Sequence, residues 1–121
     1  MITPEQLESY RSGWREYKRQ RDQDLASRYR RAMAKTRLAA EHLKRNYKCK
    51  VYLFGSMARE DKFTDHSDID LAVSNLDKQT NFWKLYSEVM NILAPFDFDL
   101  VEMERIDPDI RQYILKEGME L

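Results

Sequence analysis

The chain has 121 residues, in which 21 Lys/Arg balance 21 Asp/Glu, and a single cysteine. That length suits one compact domain able to bury its own core. One cysteine excludes an internal disulfide, no apolar run approaches the ~20 residues of a membrane span, and the polar stretch after Met1-Ile2 lacks the apolar segment of a secretory leader; a soluble, cytoplasmic protein is expected.

Thr3-Pro4-Glu5-Gln6 is a helix start, with Thr3 as N-cap, Pro4 at the first helical position and Gln6 reaching back as in a capping box. Leu7, Tyr10, Trp14 and Tyr17 follow at 3-4-3 spacing, one face of a helix. The pattern resumes at Leu25, Tyr29, Ala32/Met33, Thr36, Ala40, Leu43 and Tyr47. Between them, residues 19–24 are polar all round. Either one helix of about forty residues carries a phase shift there, or two helices meet. Residues 1–47 therefore read as a long helix or helix pair, and residues 48–121 as the core of the same domain. The aromatic stripe fits core or partner interface; on a helix projecting from a small domain, a protein contact gains weight.

Charge is unevenly placed. Residues 1–50 carry fourteen Lys/Arg and six Asp/Glu, and residues 51–121 carry seven and fifteen. A basic segment joined to an acidic one fits nucleic-acid contact or the solvated face of a long helix. The well-spaced apolar residues favour the second, so nucleic acid is not an expected partner. The acidic half suits a divalent-cation site, which needs carboxylates.

From Cys49 to Phe54 the pattern becomes a short β-branched and aromatic run, read as a strand, with Cys49 as a small core or edge residue. Gly55-Ser56 ends it, and Ser56-Met57-Ala58-Arg59 begins a short helix. Residues 62–67 form a polar loop, in which Asp65, His66 and Ser67 suit loop and turn chemistry. Ile69, Leu71 and Val73 alternate with Asp68, Asp70 and Ala72, a second strand. Residues 80–93 are helical, with Phe82, Leu85, Tyr86, Val89, Met90 and Leu93 on the apolar face and Pro95 as a stop. Residues 96–103 make a third strand. Asp107-Pro108 caps a last helix that ends at Gly118. Helix, strand, turn, strand, helix, strand, helix is an α/β order, a small sheet covered by helices. Tyr52, Phe54, Phe82 and Trp83 read as core.

Asp68 and Asp70 point to one face of their strand because side chains alternate. Two carboxylates that close repel, and one pKa rises unless a cation lies between them. Asp97 and Asp99 share the polar face of the third strand, while Phe96, Phe98 and Leu100 make its dry face. Should the two strands be neighbours, three or four carboxylates converge. Such an array is costly without Mg²⁺ or Mn²⁺, and two metals so held suit in-line displacement at phosphorus. Gly55-Ser56 adds a strand-to-helix turn whose backbone approaches an anion closely.

Gly55-Ser56, eleven intervening residues, then Asp68-Ile69-Asp70-Leu71 resembles the signature of the DNA-polymerase-β-type nucleotidyltransferase superfamily. The Gly-Ser-Met-Ala-Arg stretch, Ser67 before Asp68, and Asp99-Leu100-Val101 are similar to the minimal nucleotidyltransferases (MNT). The resemblance covers residues 49–121 and only loosely the first 45. It implies a small mixed sheet of the polymerase-β-like fold packed by helices, ATP as substrate and two Mg²⁺ ions. By position, Gly55 and Ser56 would hold the triphosphate. Asp68 and Asp70 would bind the metals. Asp99 would bind one of them and help deprotonate the acceptor hydroxyl. Arg59 stands between phosphate contact and a structural ion pair, because Glu60 replaces the glycine that commonly follows in relatives.

Minimal nucleotidyltransferases often pair with a HEPN-domain protein as a toxin–antitoxin system, in which the MNT antitoxin transfers AMP to a tyrosine of the HEPN ribonuclease. The resemblance thus implies an AMPylating antitoxin. Two other classes stand beside it: an adaptor that neutralises its partner by binding alone, and a nucleotidyltransferase acting on a small molecule or RNA.

Overall fold

The computed structural model describes all 121 residues. The first helix, α1, runs unbroken over Pro4–Tyr47, 44 residues, or about 66 Å at 1.5 Å per residue. Of the two readings for the polar stretch 19–24, one continuous helix is the outcome. No glycine or proline interrupts the chain between Trp14 and Tyr47. Polar pairs along the surface also support it, including Gln20 Nε2 donating to Asp24 Oδ1 at 3.0 Å and Arg19 bonding Glu16. Thr3 and Gln6 form the expected capping box: Gln6 N donates to Thr3 Oγ1 at 3.1 Å and Thr3 N to Gln6 Oε1 at 2.9 Å. Lys48 closes the helix in the left-handed region, at φ 54°.

Only the second half of α1 meets the rest of the protein. Every residue from 1 to 24 is exposed, and burial begins with Leu25. The phase change at residues 19–24 is the point where the helix leaves the core. Leu7, Tyr10, Trp14 and Tyr17 therefore form an uncovered stripe, with Trp14 57 % exposed. Removing residues 1–24 is expected to move the thermal midpoint by less than about 3 °C, because no buried contact is lost. A larger fall in a melting experiment would show that the projecting half supports the core.

Four strands follow: β1 (Lys50–Phe54), β2 (Ile69–Ser74), β3 (Phe98–Glu102) and β4 (Met119–Glu120). Their spatial order is β3-β2-β1-β4. β1 lies antiparallel to β2 and β4, and β2 parallel to β3. The parallel pair is joined through α2 (Phe82–Leu93), capped by Asn81, whose side chain accepts from Lys84 N at 3.1 Å. The third helix, α3 (Pro108–Glu117), has Asp107 as N-cap and Gly118 at its end. The mixed sheet and long helix match the expected fold class. β4 was not foreseen, since two residues are too short to display a period of two.

Alternation decides the two faces. Val51, Leu53, Ile69, Leu71 and Val73 are buried with Ala39 and Leu43 of α1 and Leu85, Val89 and Leu93 of α2. The opposite face is dry at one end, where Ala72 packs with Met103, just after β3, and with Ile114 of the last helix. The face carrying Asp70 is thus wet only at the end that α3 leaves uncovered. Tyr52 and Phe54 are half-buried on this smaller cluster, and Phe82 is half-buried as well. Trp83 departs from the expected core: it is 74 % exposed. Burial on α2 follows Leu85, Val89 and Leu93, and position 83 falls off that stripe. β3 begins at Phe98 rather than at residue 96.

Candidate active site

β1 stops because Gly55 adopts φ +72°, a conformation that costs an L-residue with a side chain roughly 1–2 kcal/mol. The chain then makes a 3-10 turn, Gly55–Ala58, anchored by the buried Met57. This single turn replaces the short helix expected after Ser56. Whatever anion affinity it has comes from local amides and the Ser56 hydroxyl, not from a helix dipole.

The strand registers bring the turn and the carboxylates together. Phe54 is paired with Asp70 across β1 and β2, so Gly55 lies against the Asp70 side chain. A Cβ on Gly55 would sit 2.2 Å from Asp70 Oδ2. Across the parallel pair, Asp70 is directly opposite Asp99. Asp68 immediately precedes β2, two residues before Asp70 and on the same side. Asp97 stands one alternation before Asp99, and its carbonyl accepts from Ile69 N at 3.0 Å. Asp99, not Asp97, is the carboxylate paired in register with Asp70.

Asp70 is half-buried, whereas Asp68 and Asp99 are exposed. Burial first, then the charge of Asp99, then that of Asp68, pushes the Asp70 pKa from 3.8 up to about 6. The three carboxylates are thus near enough to act on one another through charge. Their side chains are not closed on one point, and no group of three His, Cys, Asp or Glu is gathered tightly enough to enclose an ion as it stands. The donor set still fits a hard divalent cation: its members are all oxygen donors, one partly withdrawn from water, and their repulsion is what a cation would relieve.

Flanking residues are plainly placed. Arg59 is exposed, and it takes part in none of the protein's salt bridges; the structural ion pair is not formed. Ser67 Oγ accepts from Thr64 N at 2.8 Å, closing the loop before Asp68. His66 is solvent-exposed beside Asp65. One residue that helical spacing alone marks as core reaches the site from behind: the Tyr29 hydroxyl of α1 donates to the carbonyl of Met57 at 3.1 Å. The cavity of about 540 Å³ lined by Leu76, Phe82, Trp83, Glu102 and Arg105 lies at the far end of β2 and β3, away from the carboxylates.

A mixed sheet with a Gly-Ser turn held against Asp70, and with Asp99 and Asp68 near enough to act on it through charge, is the arrangement of a nucleotidyltransferase. Residues 40–121 match the family described as polymerase beta, nucleotidyltransferase, and the chain belongs to that family. Its structure is similar to that of a toxin–antitoxin crystallised with AMP-PNP, with 29 % identity, 68 % of each chain covered and a TM-score of 0.55. It is also similar to a mutant MntA-HpeT toxin–antitoxin, with 33 % identity over 67 % of this chain and 66 % of the other and a TM-score of 0.53. A structure assigned as a minimal nucleotidyltransferase shares 25 % identity over 80 % of this chain and 95 % of its own, with a TM-score of 0.55. No curated protein matches the sequence.

Proposed function

We propose that the protein is an Mg²⁺-dependent adenylyltransferase that moves AMP from ATP to a tyrosine hydroxyl of a HEPN-type toxin, and so acts as the cytoplasmic antitoxin of a pair. The observation that carries this reading is the in-register pairing of Asp70 with Asp99 beside a glycine turn. The likeness to toxin–antitoxin structures, one holding an ATP analogue, supports the nucleotide and the class of partner.

Gly55 and Ser56 take the triphosphate tail, with backbone amides and one hydroxyl as donors. Arg59, exposed and unpaired beside the turn, adds a cation toward the phosphates. Asp68, Asp70 and Asp99 hold the divalent ions. Bound there, magnesium supplies neutralisation of the triphosphate and polarisation of the α-phosphorus. Asp99, the exposed member of the register pair, accepts the proton of the acceptor hydroxyl. The acceptor oxygen bonds to the α-phosphorus as the bond from that phosphorus to the bridging oxygen breaks, and pyrophosphate leaves. Positioning and charge placement carry most of the rate gain.

The projecting part of α1, within residues 1–47, serves as the docking element. Its stripe of Leu7, Tyr10, Trp14 and Tyr17 is uncovered along its whole length. That same exposed stripe favours one second reading, an adaptor that silences its partner by occupancy alone. The deciding experiment incubates the protein with ATP, Mg²⁺ and the product of the adjacent gene, followed by intact mass spectrometry. The expected result is a partner heavier by one or more AMP groups and inactive as a ribonuclease. A partner silenced at unchanged mass would overturn the enzymatic reading in favour of the adaptor.

A further inference from the structure

We propose that Tyr29 of α1 is a positioning residue for the nucleotide turn, a strut supplied by the part of the chain that lies outside the family match. The proposal rests on the reading of Gly55-Ser56 as the triphosphate turn. Tyr29 precedes residue 40, where the match begins, yet it touches both segments that frame the site. Its hydroxyl donates to the Met57 carbonyl at 3.1 Å, within the turn itself. Its ring meets Phe63 edge-on, with centroids 5.1 Å apart and planes at 67°.

Phe63 is buried and closes the short 3-10 turn Glu60–Lys62, its N–H donating to the Glu60 carbonyl at 3.1 Å. From Phe63 the chain enters the Thr64–Ser67 turn and reaches Asp68. One side chain thus ties the Gly-Ser turn to the loop that delivers the first aspartate. The need for such a tie follows from the turn's size. A four-residue 3-10 segment makes few bonds of its own, and its carbonyls need partners from elsewhere. Tyr29 also stands four residues beyond Leu25, where α1 first meets the core.

The test uses the full chain and compares Tyr29→Phe with Tyr47→Phe. The second removes another hydroxyl bond of α1, from Tyr47 to Glu88, far from the turn. The readouts are the dissociation constant for AMP-PNP with Mg²⁺ by calorimetry and amide hydrogen exchange over residues 55–59. Tyr29→Phe is expected to weaken binding about fivefold, the worth of one ordinary hydrogen bond, and to speed exchange in the turn. Tyr47→Phe is expected to leave both within about twofold. Equal shifts in the two variants, or an unchanged turn in Tyr29→Phe, would overturn the proposal. Should the unaltered protein bind no nucleotide, the triphosphate reading falls, while exchange at residues 55–59 still decides whether Tyr29 orders the turn.

Discussion

Asp70→Asn is expected to lower AMP transfer on the order of 10³-fold while leaving the metal-free protein at least as stable at neutral pH. The first part follows from position. Asp70 is the central carboxylate, opposite Asp99 in register and pressed against Gly55. Asparagine keeps its shape and removes the charge that would hold a cation and set the phosphates. The second part follows from cost. An ionised Asp70 is half-buried and repelled by two neighbours, and the amide relieves both burdens. A transfer assay and a thermal melt without divalent ions measure the two halves. Full transfer by the variant would remove Asp70 from the mechanism.

The pH dependence has a definite sign. The folded pKa of Asp70, about 6, lies above its ordinary value of 3.8. Between those values the folded state holds a proton that the unfolded state has released, so stability falls as pH rises through this window. Below 3.8 the stabilising contribution is fully present, and above about 6 it is gone. Asparagine does not titrate, so this loss is absent from the variant. The difference in midpoint between Asp70→Asn and the unaltered protein is therefore expected to move in favour of the variant from pH 4 to pH 7.5. Adding Mg²⁺ at pH 7.5 is expected to raise the midpoint of the unaltered protein alone, because only it retains the complete donor set.

Gly55→Ala is expected to lower the thermal midpoint by about 5–10 °C and AMP transfer by about 100-fold or more. Two costs act together. Alanine at φ +72° strains the backbone, by roughly 1–2 kcal/mol, which alone shifts the midpoint of a domain this size by several degrees. The new methyl would also meet Asp70 Oδ2 at 2.2 Å, so the carboxylate must swing away. A displacement of that order costs about two decades in rate when it moves a positioned group. The second change Asp70→Ala separates the costs, since it removes the clash and leaves the strain. Partial recovery of stability in the double variant is the expected outcome. No recovery would assign the whole loss to the backbone.

Local chemistry wrote much of this molecule legibly. Thr3-Pro4-Glu5-Gln6 announces a capped helix, and the structure has that cap. Asp68 and Asp70 share a face because a strand has a period of two, and Gly55-Ser56 breaks β1 where a left-handed residue was needed. The mixed α/β sheet and its family followed from these motifs and their spacing. Residues whose fate depends on distant neighbours were less legible. Trp83 looks like core, yet it falls beside the stripe that Leu85, Val89 and Leu93 bury. Tyr29 looks like one more apolar position, yet its hydroxyl finds Met57 across 28 residues of chain.

The amino-acid order by itself determined the main helices and the three longer strands, the two faces of β2 and the carboxylates available for chemistry, because capping and alternation act over a few residues. Only the tertiary structure decided which carboxylates meet. The parallel register sets Asp99 opposite Asp70 and leaves Asp97 one step back, and register is a property of two strands packed on a shared core. It also decided that α1 is a single helix uncovered over residues 1–24, since burial depends on what the rest of the chain can reach.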